Sequence, residues 1–254
     1  MMEVKTAVSA PKMRMTQVLS IEDLSPHMRR IFLTGESLSD FPENKESAHV
    51  KAIFPDPNSD DNKPKLGIYT GFKKWMRSYT IRAFDLTHLT LTIDFAVNDH
   101  EGLASSWALR AQVGDFLGIA GPSEVKHTDL SASQHLFFGD ITALPAIAAT
   151  LENLPNASIG DAYIQVPDQQ DIQNLIKPSA INVHWIVTRD KFTPLFLKGL
   201  KSQGNDLSST AIFIATEAGV VRQLKEHLNQ YCEYDKSKLY ASAYWNKKDN
   251  GFVC

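Results

Sequence analysis

Arg77-Ser78-Tyr79-Thr80-Ile81-Arg82 is the stretch of this chain whose residue types and spacing are best suited to chemistry. Its composition is that of a strand. In an extended strand Arg77, Tyr79 and Ile81 point to one side, and Ser78, Thr80 and Arg82 to the other. A guanidinium fork reaches two oxygens of a diphosphate at once, where a lysine offers a point charge. A tyrosine ring presents a flat face to a planar heterocycle. A threonine hydroxyl, with free main-chain groups beside it, can meet the hydrogen-bonding rim of such a ring. A flavin nucleotide needs all of these, with Thr80 at its N5 edge. Each charge-assisted bond contributes about 1.5–3 kcal/mol net, so two arginines could anchor much of a tight cofactor. The same residues also suit a half-buried barrel strand with surface arginines. The stretch alone does not choose between the two.

A second stretch runs from Asp94-Phe95-Ala96 through Glu101-Gly102 to Leu103-Ala104-Ser105-Ser106-Trp107-Ala108. It predicts a strand, a glycine turn and a short helix. Small residues at the helix opening let a phosphate approach exposed backbone N–H groups, where the helix dipole also favours negative charge. With Arg77 or Arg82 opposite, a pyrophosphate would be held from two sides. A connector helix between barrel strands is the plainer reading.

Two strand-to-helix turns follow. In Phe138-Gly139-Asp140-Ile141-Thr142-Ala143-Leu144-Pro145, Thr142 is placed to cap the helix, and Pro145 is tolerated in its first turn. In Ile214-Ala215-Thr216-Glu217-Ala218-Gly219, Glu217 faces the same crevice, with capping by Thr216 or Glu217 as the alternative. The carboxyl ends of such strands are where ligands bind in open α/β sheets. Neither GxGxxG nor GxxxxGK[ST] occurs. The eight histidines have no HxxxH or HExxH spacing, so no metal site is expected. No GxSxG or Cys-His constellation marks a covalent nucleophile, so no catalytic side chain is assigned.

These residues need a scaffold, and the periodicity supplies one. Up to residue 130 the chain reads as short strands, near Met15–Leu19, Arg29–Thr34, Val50–Phe54, Arg77–Arg82, Leu89–Phe95 and Phe116–Ala120. Six strands with one helical interruption predict a small closed antiparallel barrel. From residue 131 strands alternate with helices, with strands at His135–Phe138, Ala157–Gln165, Val183–Val187, Thr210–Thr216 and Leu239–Ala243. The intervening helices are Ala143–Leu154, Pro194–Lys201 and Ala218–Tyr231. That alternation predicts a parallel, doubly wound sheet. The expected domains are therefore residues 1–130 and 131–254.

Net charge is −3 over 254 residues, with no clustered basic excess, so nucleic acid and anionic membranes are not expected partners. The opening residues have no sustained apolar core, and Ala143–Leu151 is too short to span a bilayer. Cys232 and Cys254 form no CxxC, so a reducing, cytoplasmic location is the expectation.

The ordered set of motifs resembles the siderophore-interacting proteins, FAD-containing ferric-siderophore reductases of the ferredoxin-reductase superfamily. The matching elements are Ser25-Pro26-His27-Met28-Arg29-Arg30-Ile31, His49-Val50-Lys51, Arg77–Arg82 and Asp94-Phe95 with Glu101–Ala108. Next come Gly114-Asp115, Gly121-Pro122, Gly139–Ile147, Ala215–Ala218 and Tyr244-Trp245. The resemblance implies FAD contacts from Arg77, Ser78, Tyr79, Thr80 and Arg82, and from Asp94, Phe95, Ala96 and Leu103. It puts Ala104 and Ser105 at the pyrophosphate, and Asp140, Thr142, Ala143, Glu217 and Trp245 along the crevice. Lys51, Lys247 and Lys248 are the positions for a basic pocket that receives the iron chelate. The lysine pair reads equally as a solvated tail. Departures fall at Ile141, Thr216, Ala243, Asn246 and Lys247, on the α/β side, where the donor binds. The resemblance implies NAD(P)H as donor, with reduced ferredoxin as the substitute, and a ferric siderophore as acceptor; a monomer is the expectation. A flavin reductase with another acceptor and a non-catalytic siderophore carrier are the competing readings.

Overall fold

The computed structural model describes residues 12–59, 61–65, 72–97, 102–124, 129–248 and 251–253. The first unit contains β1 (Met13–Ser25), β2 (Met28–Thr34), β3 (His49–Ile53), β4 (Met76–Thr80), β5 (Ala83–Asp85) and β6 (Thr90–Ala96). Helix α1 (Leu103–Arg110) and strand β7 (Phe116–Ala120) complete it. The strands form one antiparallel sheet in the order β4-β3-β7-β1-β2-β6-β5. Alternation fixes the inner face: Ile31 and Leu33 of β2 are fully buried, as are Leu91, Ile93 and Phe95 of β6.

The sheet is barrel-like but not closed, which corrects the expectation of a closed barrel. Its two edge strands, β4 and β5, are consecutive in the chain and pair with β3 and β6 respectively. Between them lie only Ile81 and Arg82, whose amides donate to Ala48 O and Thr92 O at 2.8 and 2.9 Å. The chain thus bends where a single strand over 77–82 was expected, and the edges are joined through the backbone and not by a ladder. Ala83–Asp85 escaped the sequence reading because three residues are too few to show a period.

The second unit comprises β8 (Gln134–Asp140), α2 (Leu144–Glu152), β9 (Ile159–Val166), β10 (Ile181–Val187), α3 (Thr193–Ser202) and β11 (Asp206–Leu207). It continues with β12 (Thr210–Glu217), α4 (Ala218–Tyr231), β13 (Glu233–Tyr234), β14 (Leu239–Lys248) and β15 (Gly251–Val253). The main sheet runs β10-β9-β8-β12-β14-β15, parallel except for β15, and β11 pairs with β13 alone. Helix α2 packs with Phe137 and Phe213 on one face. Helices α3 and α4 pack with Leu136, Phe138 and Ile214 on the other. Strand order reverses between β8 and β12, so their carboxyl ends open a crevice at the switch point. Strand β14 runs five residues past the expected Ala243, because Asn246-Lys247-Lys248 hides an antiparallel hairpin with β15 inside a polar run.

At Gly160, a Cβ would stand 1.8 Å from the His135 carbonyl oxygen, and φ is +143°. Only glycine lets β9 come this close to β8.

Candidate functional site

Strand β4 does divide its side chains between two faces. Ile81 is fully buried in the barrel core, and Tyr79 packs against that core while remaining only partly buried. The Tyr79 ring lies 4.3 Å from Phe95 and 6.5 Å from Phe54, and Trp107 of α1 closes the cluster at 5.4 Å from Phe54. Ser78, Thr80 and Arg82 lie on the other side, and of these Arg82 bonds the second unit. Register puts His49 of β3 opposite Thr80 and Lys51 opposite Ser78. Lys51 Nζ donates to Ser78 Oγ at 2.5 Å. His49 Nε2 lies 3.1 Å from Tyr244 Oη on β14. Arg82 reaches Glu152 of α2 through Nη1 at 2.8 Å and through Nη2, and its Nε stands 3.8 Å from Asp94.

The two arginines of the stretch are therefore in different circumstances. Arg77 Nη1 donates to the Lys74 and Met76 carbonyls of its own turn at 3.0 and 2.9 Å. Arg82 is bound to a carboxylate of the other unit. Asp94 is buried and takes Arg30 Nε and Nη2 at 2.7 and 2.8 Å, while Phe95 is fully buried and Ala96 packs against the second core. Helix α1 begins after Gly102, which gives it no side-chain cap, and its first turn has no acidic residue. Leu103, Ala104 and Ser105 thus open the helix as expected. Asn98 through Glu101 lie outside the described residues.

Across the crevice, Asp140 ends β8 with its carboxylate fully engaged. Oδ1 accepts from Thr142 N at 2.9 Å and Thr142 Oγ1 at 2.5 Å. Oδ2 accepts from Thr216 Oγ1 at 2.6 Å and Trp245 Nε1 at 2.7 Å. Asp140 is 2% exposed. Its contribution is to fasten Thr142, Thr216 and Trp245 around one buried charge. Thr142 does not cap α2; Ala143 holds that position without a side-chain bond, because the threonine hydroxyl is spent on Asp140. Glu217 caps α4, accepting from Gly219 N and Val220 N, and its second oxygen accepts from Lys247 N at 3.2 Å. The Lys247 side chain is exposed, and that of Lys248 lies outside the described residues.

Three contacts that the sequence reading left without a role join the units at this crevice. Tyr244 meets His49 edge-on, with ring centroids 5.7 Å apart. Burial pushes its phenol well above the ordinary value, so it remains protonated. Glu152 meets Arg82. Asp171 meets His27 and Ser25, with Arg189 Nη2 3.1 Å from His27 Nε2. Adjacent aromatics after an alternating strand were the one available signal, at Tyr244-Trp245. Among the described residues no three His, Cys, Asp or Glu gather as a metal site, and no helix is long and apolar enough to cross a membrane.

The family model "Siderophore-interacting FAD-binding domain" matches residues 17–126, and "Siderophore-interacting protein" matches 132–248. Ferric vibriobactin reductase ViuB of Vibrio cholerae is 30% identical over 238 residues, 89% of this chain and 87% of that protein. The NADPH-dependent ferric-chelate reductase of Escherichia coli is 29% identical over 245 residues, covering 93% and 94%. The crystal structure of the siderophore-interacting protein SipS from Aeromonas hydrophila superposes with a TM-score of 0.81 at 32% identity, over 94% of both chains. Ferredoxin-NADP+ reductase from Plasmodium falciparum shares the fold alone, with a TM-score of 0.64 at 14% identity over 92% of this chain and 96% of that one. With both halves matched in order and relatives aligned almost end to end, the chain belongs to the siderophore-interacting protein family, on a ferredoxin-reductase-like fold.

Proposed function

We propose that this chain is an FAD-dependent reductase that takes electrons from NAD(P)H or reduced ferredoxin and delivers them singly to a ferric siderophore. The observation that carries the reading is the FAD-binding match over 17–126, which contains the whole run from β4 to α1. The donor set fits the cofactor. Gly102 gives helix α1 no side-chain cap, and the space around Gly102 is open where a Cβ would stand. Arg77 is engaged with carbonyl groups only locally, so turning to a phosphate strands no carboxylate.

In this reading Arg77, with Leu103, Ala104 and Ser105 at the mouth of α1, holds the diphosphate. Tyr79 offers its ring to the isoalloxazine. Ser78 and Thr80, with the main chain of Asp94, Phe95 and Ala96, meet its rim, with Thr80 at the N5 edge. Arg82 joins the two units beneath it. Asp140, Thr142, Ala143, Glu217 and Trp245 shape the donor side. FAD, when bound, accepts electrons in a pair and passes them on singly.

Lys51 and Lys247, joined by Lys248, attract the chelate. Ferric chelates are commonly anionic, so each lysine adds attraction and on-rate that salt weakens. Iron(III) prefers hard anionic oxygen donors, and iron(II) binds the same donors more weakly. One electron thus loosens the complex without a general base. The reading divides the chain into a flavin-binding barrel, residues 1–130, and a donor-binding α/β domain, 131–254, acting as a cytoplasmic monomer.

A visible spectrum of the purified protein, followed by anaerobic addition of NADH, NADPH or reduced ferredoxin, tests the cofactor and names the donor by which one bleaches the flavin. A colourless protein that gains no flavin spectrum with excess FAD contradicts the reading.

A further inference from the structure

Iron(III) takes an electron and no proton. Flavin carries a hydrogen at N5 in its reduced form and none there in its oxidised form. When two iron(III) centres are reduced in turn, reduced FAD becomes oxidised FAD, two iron(II) form, and one proton is left over. The N5–H bond breaks, its electrons go to iron, and the proton needs a base. The chelate itself asks for none.

Strand register brings one base to the place. His49 of β3 stands directly opposite Thr80 of β4. Opposed residues put their side chains on the same face of a sheet, with Cβ atoms about 4.5–5.5 Å apart. Val50, next along β3, is 1% exposed and belongs to the barrel core, so His49 and Lys51 share the other face. Of His49, Lys51 and Arg82, the titratable side chains on that face, only an imidazole ordinarily changes charge near neutral pH. Thr80 is 5% exposed, so water has little access to it. His49 is half-buried and can hand a proton on to solvent.

The ring is held in place. His49 Nε2 lies 3.1 Å from Tyr244 Oη, and the two rings meet edge-on. Its main-chain carbonyl accepts from Ser123 N at 2.8 Å. The charged and titratable groups around it come from four directions. Lys51, on its own strand, donates to Ser78 Oγ. Arg82, two residues past Thr80, is paired with Glu152. From the second unit, Tyr240 and the Asp140 carboxylate act on the Tyr244 phenol. Glu124 follows Ser123 in the segment after β7.

We propose that His49 is the proton acceptor of the electron-transfer step: its imidazole takes the N5 proton as the electrons leave for iron, and passes it to solvent. The inference rests on the reading above, in which Thr80 faces the N5 edge. A neutral imidazole accepts and an imidazolium does not, so the rate of reoxidation rises as pH rises through the pKa of the ring.

The test uses FAD-loaded wild type, His49→Gln and His49→Ala, reduced photochemically and mixed anaerobically with a ferric hydroxamate in a stopped flow. Flavin absorbance follows reoxidation, an indicator dye in dilute buffer follows proton release, and FAD dissociation constants are measured beside them. His49→Gln, which keeps a polar side chain but carries no proton, is expected to slow reoxidation and proton release together by about 100-fold. Its FAD dissociation constant stays that of the wild type. Added imidazole restores the rate of His49→Ala, which a merely structural role would not allow. The wild-type rate climbs between about pH 5.5 and pH 7.5, a measurement that needs no variant to fold. A wild-type rate flat over that range, an unchanged rate in His49→Gln, or a slowed His49→Ala that imidazole does not restore overturns the proposal. A wild type that shows no flavin spectrum with excess FAD overturns the cofactor reading instead, and is seen before any mixing.

Discussion

The His27 ring Nδ1 lies 2.7 Å from Asp171 Oδ2, so a buried carboxylate of the second unit grips the turn between β1 and β2 of the first. Asp171 is fully buried and has three further donors: Ser25 Oγ at 2.7 Å, His27 N at 3.0 Å and Asp168 N at 3.1 Å. Met28, the next residue along the turn, is buried in the core beneath α2. Polar latch and apolar plug act at the same point, and together they fix how the two sheets meet.

Asp171→Ala strands those four donors in the interior. Removing one partner of such a buried cluster costs about 3–5 kcal/mol. Urea unfolding at neutral pH should show a midpoint lowered to match. A midpoint within error of wild type would mean that the latch contributes nothing to stability.

Arg82 and Glu152 are half-buried and paired through both guanidinium nitrogens, which places them between a surface ion pair and a core one. A double-mutant cycle with Arg82→Met and Glu152→Gln is expected to give a coupling of about 1–2 kcal/mol. Raising the salt concentration should reduce it. Strict additivity of the two changes would remove Arg82 from the inter-unit contacts.

Arg77 presents the opposite case. Its guanidinium bonds local carbonyls, so Arg77→Ala should leave thermal unfolding of the FAD-free protein nearly unchanged. FAD affinity should fall about 10- to 100-fold, the range for one charge-assisted contact. Titration by flavin fluorescence quenching measures this directly, and an unaltered dissociation constant would take Arg77 out of the cofactor site.

Burial holds the His135 imidazole below its ordinary pKa; the side chain is 1% exposed, and Nε2 bonds the Ala132 carbonyl. The folded state keeps the ring neutral, whereas the unfolded chain takes up a proton below about pH 6.5. Stability from this group is therefore complete above that value and declines as pH falls through the folded pKa. His135→Gln should flatten the loss of stability between about pH 7 and pH 5. An identical slope in the variant would assign the acid sensitivity to other groups.

What could be read from the sequence was whatever depends on neighbours along the chain. Ile31 and Leu33 on β2, and Phe137 and Phe138 on opposite faces of β8, announce their elements through alternation or apolar runs. Even the facing of Tyr79 against Thr80 follows from strand geometry. Other features depend on partners far away in sequence. His27 and Asp171 are 144 residues apart, and Arg82 and Glu152 are 70 apart. Each is a polar residue that could equally stand in solvent. The bulge at Tyr244 shifts a pattern by one residue, a change that composition cannot reveal. Asp140 read as a crevice residue because a carboxylate at a strand end commonly is one; here Thr142, Thr216 and Trp245 consume it.

The rate of iron(II) release tests the central claim most directly. Purified protein loaded with FAD, supplied anaerobically with its donor and a ferric catecholate or hydroxamate, is followed with a ferrous trap. The rate should exceed that of the same concentration of free FAD, saturate with the chelate and fall as salt screens Lys51 and Lys247. A rate equal to that of free flavin would contradict the account.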